Sequence, residues 1–153
     1  MPTGGPKSEP IAFQKTRFNE AGGRISPDNK WVAYTSDESG ENEVYLKRLA
    51  SPESDAWKIS SDGAFSPEWG SDGTELFYVN RNNQMMLVRL RFAGLRGEAI
   101  SAKPLFTMPA FSLEYDISPD GKYFVITRSL EMKKFPPMSL VVNWKALINQ
   151  NKP

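Results

Sequence analysis

Three aspartates, Asp28, Asp72 and Asp120, stand 44 and 48 residues apart. Three carboxylates at a regular interval could share a cation or serve as an acid–base set, so their local context decides what they do. That context is the same each time: SPDNKWVAYTSD from Ser26, GSDGTELFYVNR from Gly70 and SPDGKYFVITRS from Ser118. Proline, where present, presets φ, and the aspartate can bond its own backbone. The next position, Asn29, Gly73 or Gly121, tolerates positive φ. The three carboxylates are therefore expected to build three separate turns, one per repeat, rather than one site.

A second acidic group, Asp37, Glu38, Glu41 and Glu43 around Gly40, invites a calcium reading. Its spacing is irregular and lacks the ligand pattern of a dedicated calcium loop. Exposed charge on a hairpin is the expectation, with no metal and no cofactor. The chain has no histidine and no cysteine. A Ser-His-Asp triad, a Cys-His pair, a structural zinc site and a disulfide framework are thereby excluded within it. Carboxylates alone can still hydrolyse glycosides.

Aromatic residues are the other chemistry on offer. Trp31, Trp57, Phe77, Tyr78, Tyr123 and Phe124 lie in or beside apolar runs and are expected in the core. Trp69 precedes a turn and is the candidate to face a surface. The stretch Leu130 to Pro137 departs from the repeat and carries Met132, Lys133, Lys134 and Phe135, which makes it the candidate interaction loop. FAGLRGEAISAKP after Arg91 reads as a linker.

The elements that must position these residues follow from the repeat. Its period matches one four-stranded propeller blade. Inner strands are expected just before the turns, at 64–67 and 113–117. Second strands follow at 31–35, 76–79 and 123–127, rich in β-branched and aromatic residues. In WVAY and LFYV both strand faces are apolar, which requires burial on both sides. Third strands are expected at 43–49, 85–92 and 138–144, and outer strands at 57–60 and 104–108. The third repeat has no outer strand after it, whereas 11–18 (IAFQKTRF) reads as an outer strand preceding the first repeat.

The fold expected is all-β: a β-propeller with three four-stranded blades per chain, the N-terminal strand serving as outer strand of a last blade. The organisation is a flexible lead-in at 1–10, a propeller unit at 11–146 with repeats near 24–62, 63–109 and 110–146, and a tail at 147–153. Propellers hold about 4–8 blades, so three blades read as half a ring. An open array would expose two apolar faces. Completion to six blades by a second chain is expected, a C2 homodimer exchanging strands through Phe13, Lys15 and Arg17 against Val141 and Asn143. The competing expectation is half of a longer propeller.

ISPDNKWVAYTSDESGENEVYLKRL, WKISSDGAFSPEWGSDGTELFYVN and YDISPDGKYFVITRS resemble the repeats of TolB-like, WD-like β-propellers. The closing SLVVNW is similar to the end of propeller modules in bacterial serine/threonine-kinase-like proteins. The resemblance spans about residues 11 to 146. It implies a protein-binding or sensor platform, in some relatives fused to an enzyme. The kinase motifs themselves are absent from this sequence.

Charge and hydropathy set the remaining bounds. The net charge is +1, with both signs mixed along the chain, which is no footprint for nucleic acid. The longest apolar runs are far below the ~20 residues of a membrane span, and MPTGGPKSEP has no signal-peptide core. The chain alone reads as cytoplasmic, and as extracytoplasmic if it belongs to a longer targeted one. The leading expectation is a noncatalytic protein- or peptide-binding platform. The alternatives are an enzymatic or sugar-binding propeller, or the regulatory propeller of a larger enzyme.

Overall fold

The computed structural model describes residues 12–51, 53–94, 96–110, 112–129 and 138–142. These residues form antiparallel sheets and no helix. The first sheet runs β1 (Glu20–Ile25), β2 (Trp31–Ser36), β3 (Glu43–Arg48) and β4 (Trp57–Lys58), in that order. The second runs β5 (Ala64–Trp69), β6 (Glu75–Asn80), β7 (Gln84–Ala93) and β8 (Arg96–Thr107). The third holds β9 (Ser112–Ile117), β10 (Tyr123–Arg128) and β11 (Met138–Val142). Consecutive strands are neighbours throughout, so each sheet is a meander made by local turns.

The aspartates build those turns. Asp28 Oδ1 accepts from the Ser26 hydroxyl at 2.7 Å and from the Lys30 amide at 3.2 Å, while the Trp31 amide donates to Ser26 Oγ at 2.9 Å. Ser118 and Asp120 repeat the arrangement: Ser118 Oγ to Asp120 at 2.7 Å, the Lys122 amide to Asp120 at 3.1 Å, and the Tyr123 amide to Ser118 Oγ at 3.0 Å. Gly70 has no hydroxyl, so the middle copy keeps the Thr74 amide on Asp72 at 2.8 Å without the serine bonds. Asn29, Gly73 and Gly121 have φ of 58°, 72° and 64°, the left-handed conformation the turn demands.

Two cores sit between the sheets. Trp31, Ala33, Val44 and Leu46 of the first sheet meet Leu76, Tyr78, Val88 and Leu90 of the second. Phe77, Met85 and Leu87 of the second meet Tyr115, Phe124 and Ile126 of the third. In β6, Leu76 and Tyr78 serve one core and Phe77 the other, which is why that strand needs two apolar faces. Each fully buried side chain of this size contributes roughly 1.5–3 kcal/mol over exposure.

Four local expectations change. FAGLRGEAISAKP is not a linker: it closes a long hairpin whose pairing runs from Gln84↔Thr107 to Ala93↔Arg96. The alternating residues of β7 offer a long edge, and Gly94 at φ 58° supplies the reversal. The outer strand expected from 104 thus begins at 96. Residues 12–19 form no strand, because within the chain they add to no sheet edge, and a lone strand has no ladder to hold it. Nor is the outer face of the first sheet bare. Val32, Tyr34 and Tyr45 are buried. Segment 12–19 reaches that face, where Lys47, paired in register with Val32, donates to Gln14 Oε1 at 2.6 Å.

Candidate functional site

The inner strands β1, β5 and β9 carry the features that set this chain apart from a plain meander. In β1 the ladder skips between Ala21 and Arg24, and in β5 between Phe65 and Glu68. Each skip is a β-bulge, and the residue four before the turn has positive φ in both: Gly22 at 63° and Ser66 at 52°. Glycine adopts that conformation freely, whereas serine is strained there. The following inner strand packs onto each bulge. Pro67 Cδ lies 3.5 Å from where a Gly22 Cβ would stand, and the Tyr115 hydroxyl donates to the Ser66 carbonyl at 2.6 Å.

Beside the second bulge, β5 and β9 diverge into a cleft of about 140 Å³. Phe65, Ser66, Val79, Met108, Glu114 and Tyr115 form its walls. Phe65 is 42% exposed, one of the few large apolar side chains on the surface. Glu114 is exposed and makes no ion pair with a described residue. Tyr115 is buried, which pushes its hydroxyl well above the ordinary tyrosine value, so it acts as a fixed donor. At the rim, Asn83 Nδ2 holds the Met108 carbonyl at 3.2 Å and Ser112 Oγ donates to the Pro109 carbonyl at 2.6 Å. The cleft pairs an open aromatic face with a carboxylate that no described residue compensates.

Next to it runs a charged row. Arg24, Glu68 and Asp116 each stand two residues before their turn. Arg24 contacts Glu68 directly, and the Trp69 indole N–H donates to the Arg24 carbonyl at 3.0 Å. Burial raises the Glu68 carboxyl above its usual range. The Arg24 guanidinium pulls against that rise, and Asp116 adds to it. The row ties the first two sheets together along their inner strands.

The residues singled out in the sequence are placed as follows. Asp28 and Asp120 are held below the ordinary carboxylate range, chiefly by the hydroxyls of Ser26 and Ser118. For Asp72, burial raises the value, but the amides of Thr74 and Glu75 outweigh it and the net shift is downward. The acidic hairpin is dispersed. Asp37 accepts from the Asn19 amide at 2.9 Å and from its side chain at 2.6 Å, Glu41 pairs with Arg81, and buried Glu43 takes the Ser60 hydroxyl. Among the described residues no three carboxylates gather closely enough to hold a metal ion.

Trp31, Phe77, Tyr78 and Phe124 are core residues, and Trp57 packs against the core. Trp69 is half-buried between sheets rather than open on a surface. Met132, Lys133, Lys134 and Phe135 lie outside the described residues, as does Asn143. Phe13 is half-buried, Lys15 and Arg17 are exposed, and Val141 pairs with Phe124 in the third sheet. The cleft itself escaped the sequence reading. Aligning the turns sets Ser66 opposite Gly22 of the first repeat and Glu114 of the third, a variable position whose residue types give no signal of the bulge.

No protein-family model and no curated protein sequence matches the chain. Solved structures do. TolB from Acinetobacter baumannii superposes with a TM-score of 0.58 at 18% identity, over 80% of this chain and 29% of that one. An oligogalacturonate lyase in complex with manganese superposes with a TM-score of 0.50 at 19% identity, over 68% of this chain and 27% of that one. The chain therefore spans less than a third of the length of either. The likeness shows a TolB-like β-propeller fold built from antiparallel sheets.

Proposed function

We propose that the chain is a noncatalytic protein- or peptide-binding platform, and that the cleft between β5 and β9 takes one anchoring side chain. The observation that carries this is the cleft's size and lining. At about 140 Å³ it is well below the ~300–1,000 Å³ of a pocket for a drug-sized ligand. An exposed phenyl ring and a carboxylate without an ion-pair partner among the described residues suit a side chain with an apolar stem and a cationic end, a lysine or arginine. The stem covers Phe65, the charge meets Glu114, and ring and cation attract directly. The test is a selection of displayed peptides on the folded chain, counter-selected on Phe65→Ala. Enrichment of lysine- or arginine-bearing sequences supports the reading. Peptides that bind the variant equally well refute it.

The three sheets serve as three blades, and a ring closed to six by a second copy completes the platform. Support comes from β10. Phe124 and Ile126 face the second sheet, so Tyr123 and Val125 by alternation face away from it, and both are only half-buried. A further sheet packed there would bury them. Strand exchange through segment 12–18 would give it a sheet edge to join. Light scattering should return twice the chain mass. A soluble monomer would contradict closure by a second copy.

A further inference from the structure

At the opposite end of the strands, a pocket of about 240 Å³ opens between the first and second sheets, lined by Asp28, Lys30, Trp31, Arg48, Phe92 and Gly94. Trp31 stacks on Phe92 with ring centroids 5.0 Å apart. The Arg48 guanidinium lies over Trp31, 5.8 Å from the ring centroid. Its Nε is buried without an acceptor, and Arg48 makes no ion pair among the described residues. Asp28, the one acid among the described residues that line the pocket, is already engaged by Ser26, the Lys30 amide and the Lys30 ammonium.

The second repeat shows what an arginine at this position takes. Arg48 is the cross-strand partner of Trp31, three residues after Asp28. Its counterpart Arg89 is the cross-strand partner of Glu75, three residues after Asp72. Arg89 has its carboxylate, with Nε 3.4 Å from Glu75 Oε1. In the first repeat that carboxylate is replaced by Trp31. The guanidinium is held by stacking, and among the described residues it has no acidic partner.

We infer that this pocket is a carboxylate-binding site: a ligand's carboxylate pairs with the Arg48 guanidinium, the kind of partner that Arg89 finds in Glu75. Arginine presents a planar fork matched to such a group. Lys30, its side chain 68% exposed and its ammonium 3.2 Å from Asp28, adds positive charge at the rim of the same pocket. Trp31 and Phe92 offer the ligand's carbon skeleton an apolar wall. The carboxylate could belong to a small organic acid or to an aspartate or glutamate of another protein. The site is independent of the peptide cleft.

Nitrogen-15 NMR of the arginine Nε–H groups tests this directly. The chain is titrated at constant ionic strength with succinate, with an end-blocked peptide bearing one glutamate, and with succinamide as the uncharged control. Saturable displacement of the Arg48 resonance by succinate or by the peptide, and not by succinamide, is expected. Whichever of the two acts identifies the source. Read at the Trp31 indole N–H, which both variants keep, Arg48→Met should weaken the interaction about tenfold or more, as loss of a charge-assisted fork does. Arg48→Lys, which keeps the charge and serves as the second folded variant, should weaken it less. No displacement by either acid, an equal effect of succinamide, or undiminished binding to both variants would overturn the inference.

Discussion

The hydroxyl of Tyr115 donates to the backbone carbonyl of Ser66 across the boundary between the second and third sheets, at 2.6 Å. The bulge in β5 takes Ser66 out of the β5–β6 register, and the tyrosine of the next inner strand satisfies its carbonyl. One strained residue and one buried phenol thus fix the angle of the cleft floor.

Tyr115→Phe should cost about 1 kcal/mol in stability, the net worth of a neutral hydrogen bond, with the fold intact. Ser66→Gly should raise stability by about 1 kcal/mol by relieving the left-handed backbone. Urea denaturation midpoints check both. Destabilisation by Ser66→Gly would mean that the serine side chain has a partner that outweighs its strain.

The two cores set the cooperative stability. Leu76 is fully buried at the interface of the first two sheets, so Leu76→Ala should cost roughly 2–5 kcal/mol. Ile25, 55% exposed at the end of β1, should tolerate alanine within about 0.5 kcal/mol. Thermal unfolding of the two variants side by side tests the contrast.

The turn aspartates predict the response to acid. Asp28 and Asp120 have folded values below their ordinary 3.8. Their contribution is therefore full above pH 3.8 and is lost as pH falls through the lower folded value. Asp28→Asn and Asp120→Asn should each be less stable than the parent at pH 7. That deficit should shrink steadily below about pH 4. A deficit independent of pH would assign their role to shape rather than charge.

Glu68 behaves in the other sense. Burial raises its value and Arg24 opposes the rise. Its charged form therefore works against folding at neutral pH, and protonation relieves that as pH falls through the raised value. Arg24→Met removes the opposing cation and should move the Glu68 titration further upward, which carbon-13 NMR of the carboxyl group would follow. An unchanged titration would show that the ion pair is not formed in solution.

Much of the fold was legible because the repeat encodes it locally. Ser-Pro-Asp with asparagine or glycine specifies its own hydrogen bonds, and the doubly apolar LFYV announces two neighbours. What stayed hidden depends on contacts between repeats. The β7–β8 hairpin looked like a linker because EAISA is half polar and pairs with a strand of uneven burial. Segment 12–18 has strand-like residues, yet only an edge makes a strand. The cleft rests on the backbone conformation of Ser66 and on Tyr115, 49 residues away. The Arg48 pocket emerges only when the first repeat is laid on the second and Trp31 stands where the second has Glu75.

In the proposed platform, Glu114 and Phe65 bind a cationic anchor on a partner chain. Calorimetry on a selected peptide, with its anchor as lysine or glutamate, against wild type and Glu114→Lys, forms a charge-swap cycle. Tight binding is expected for lysine with wild type, with loss of about tenfold or more in either single swap and partial recovery when both charges are reversed, as coupled residues in contact behave. Equal affinity across all four combinations would contradict it.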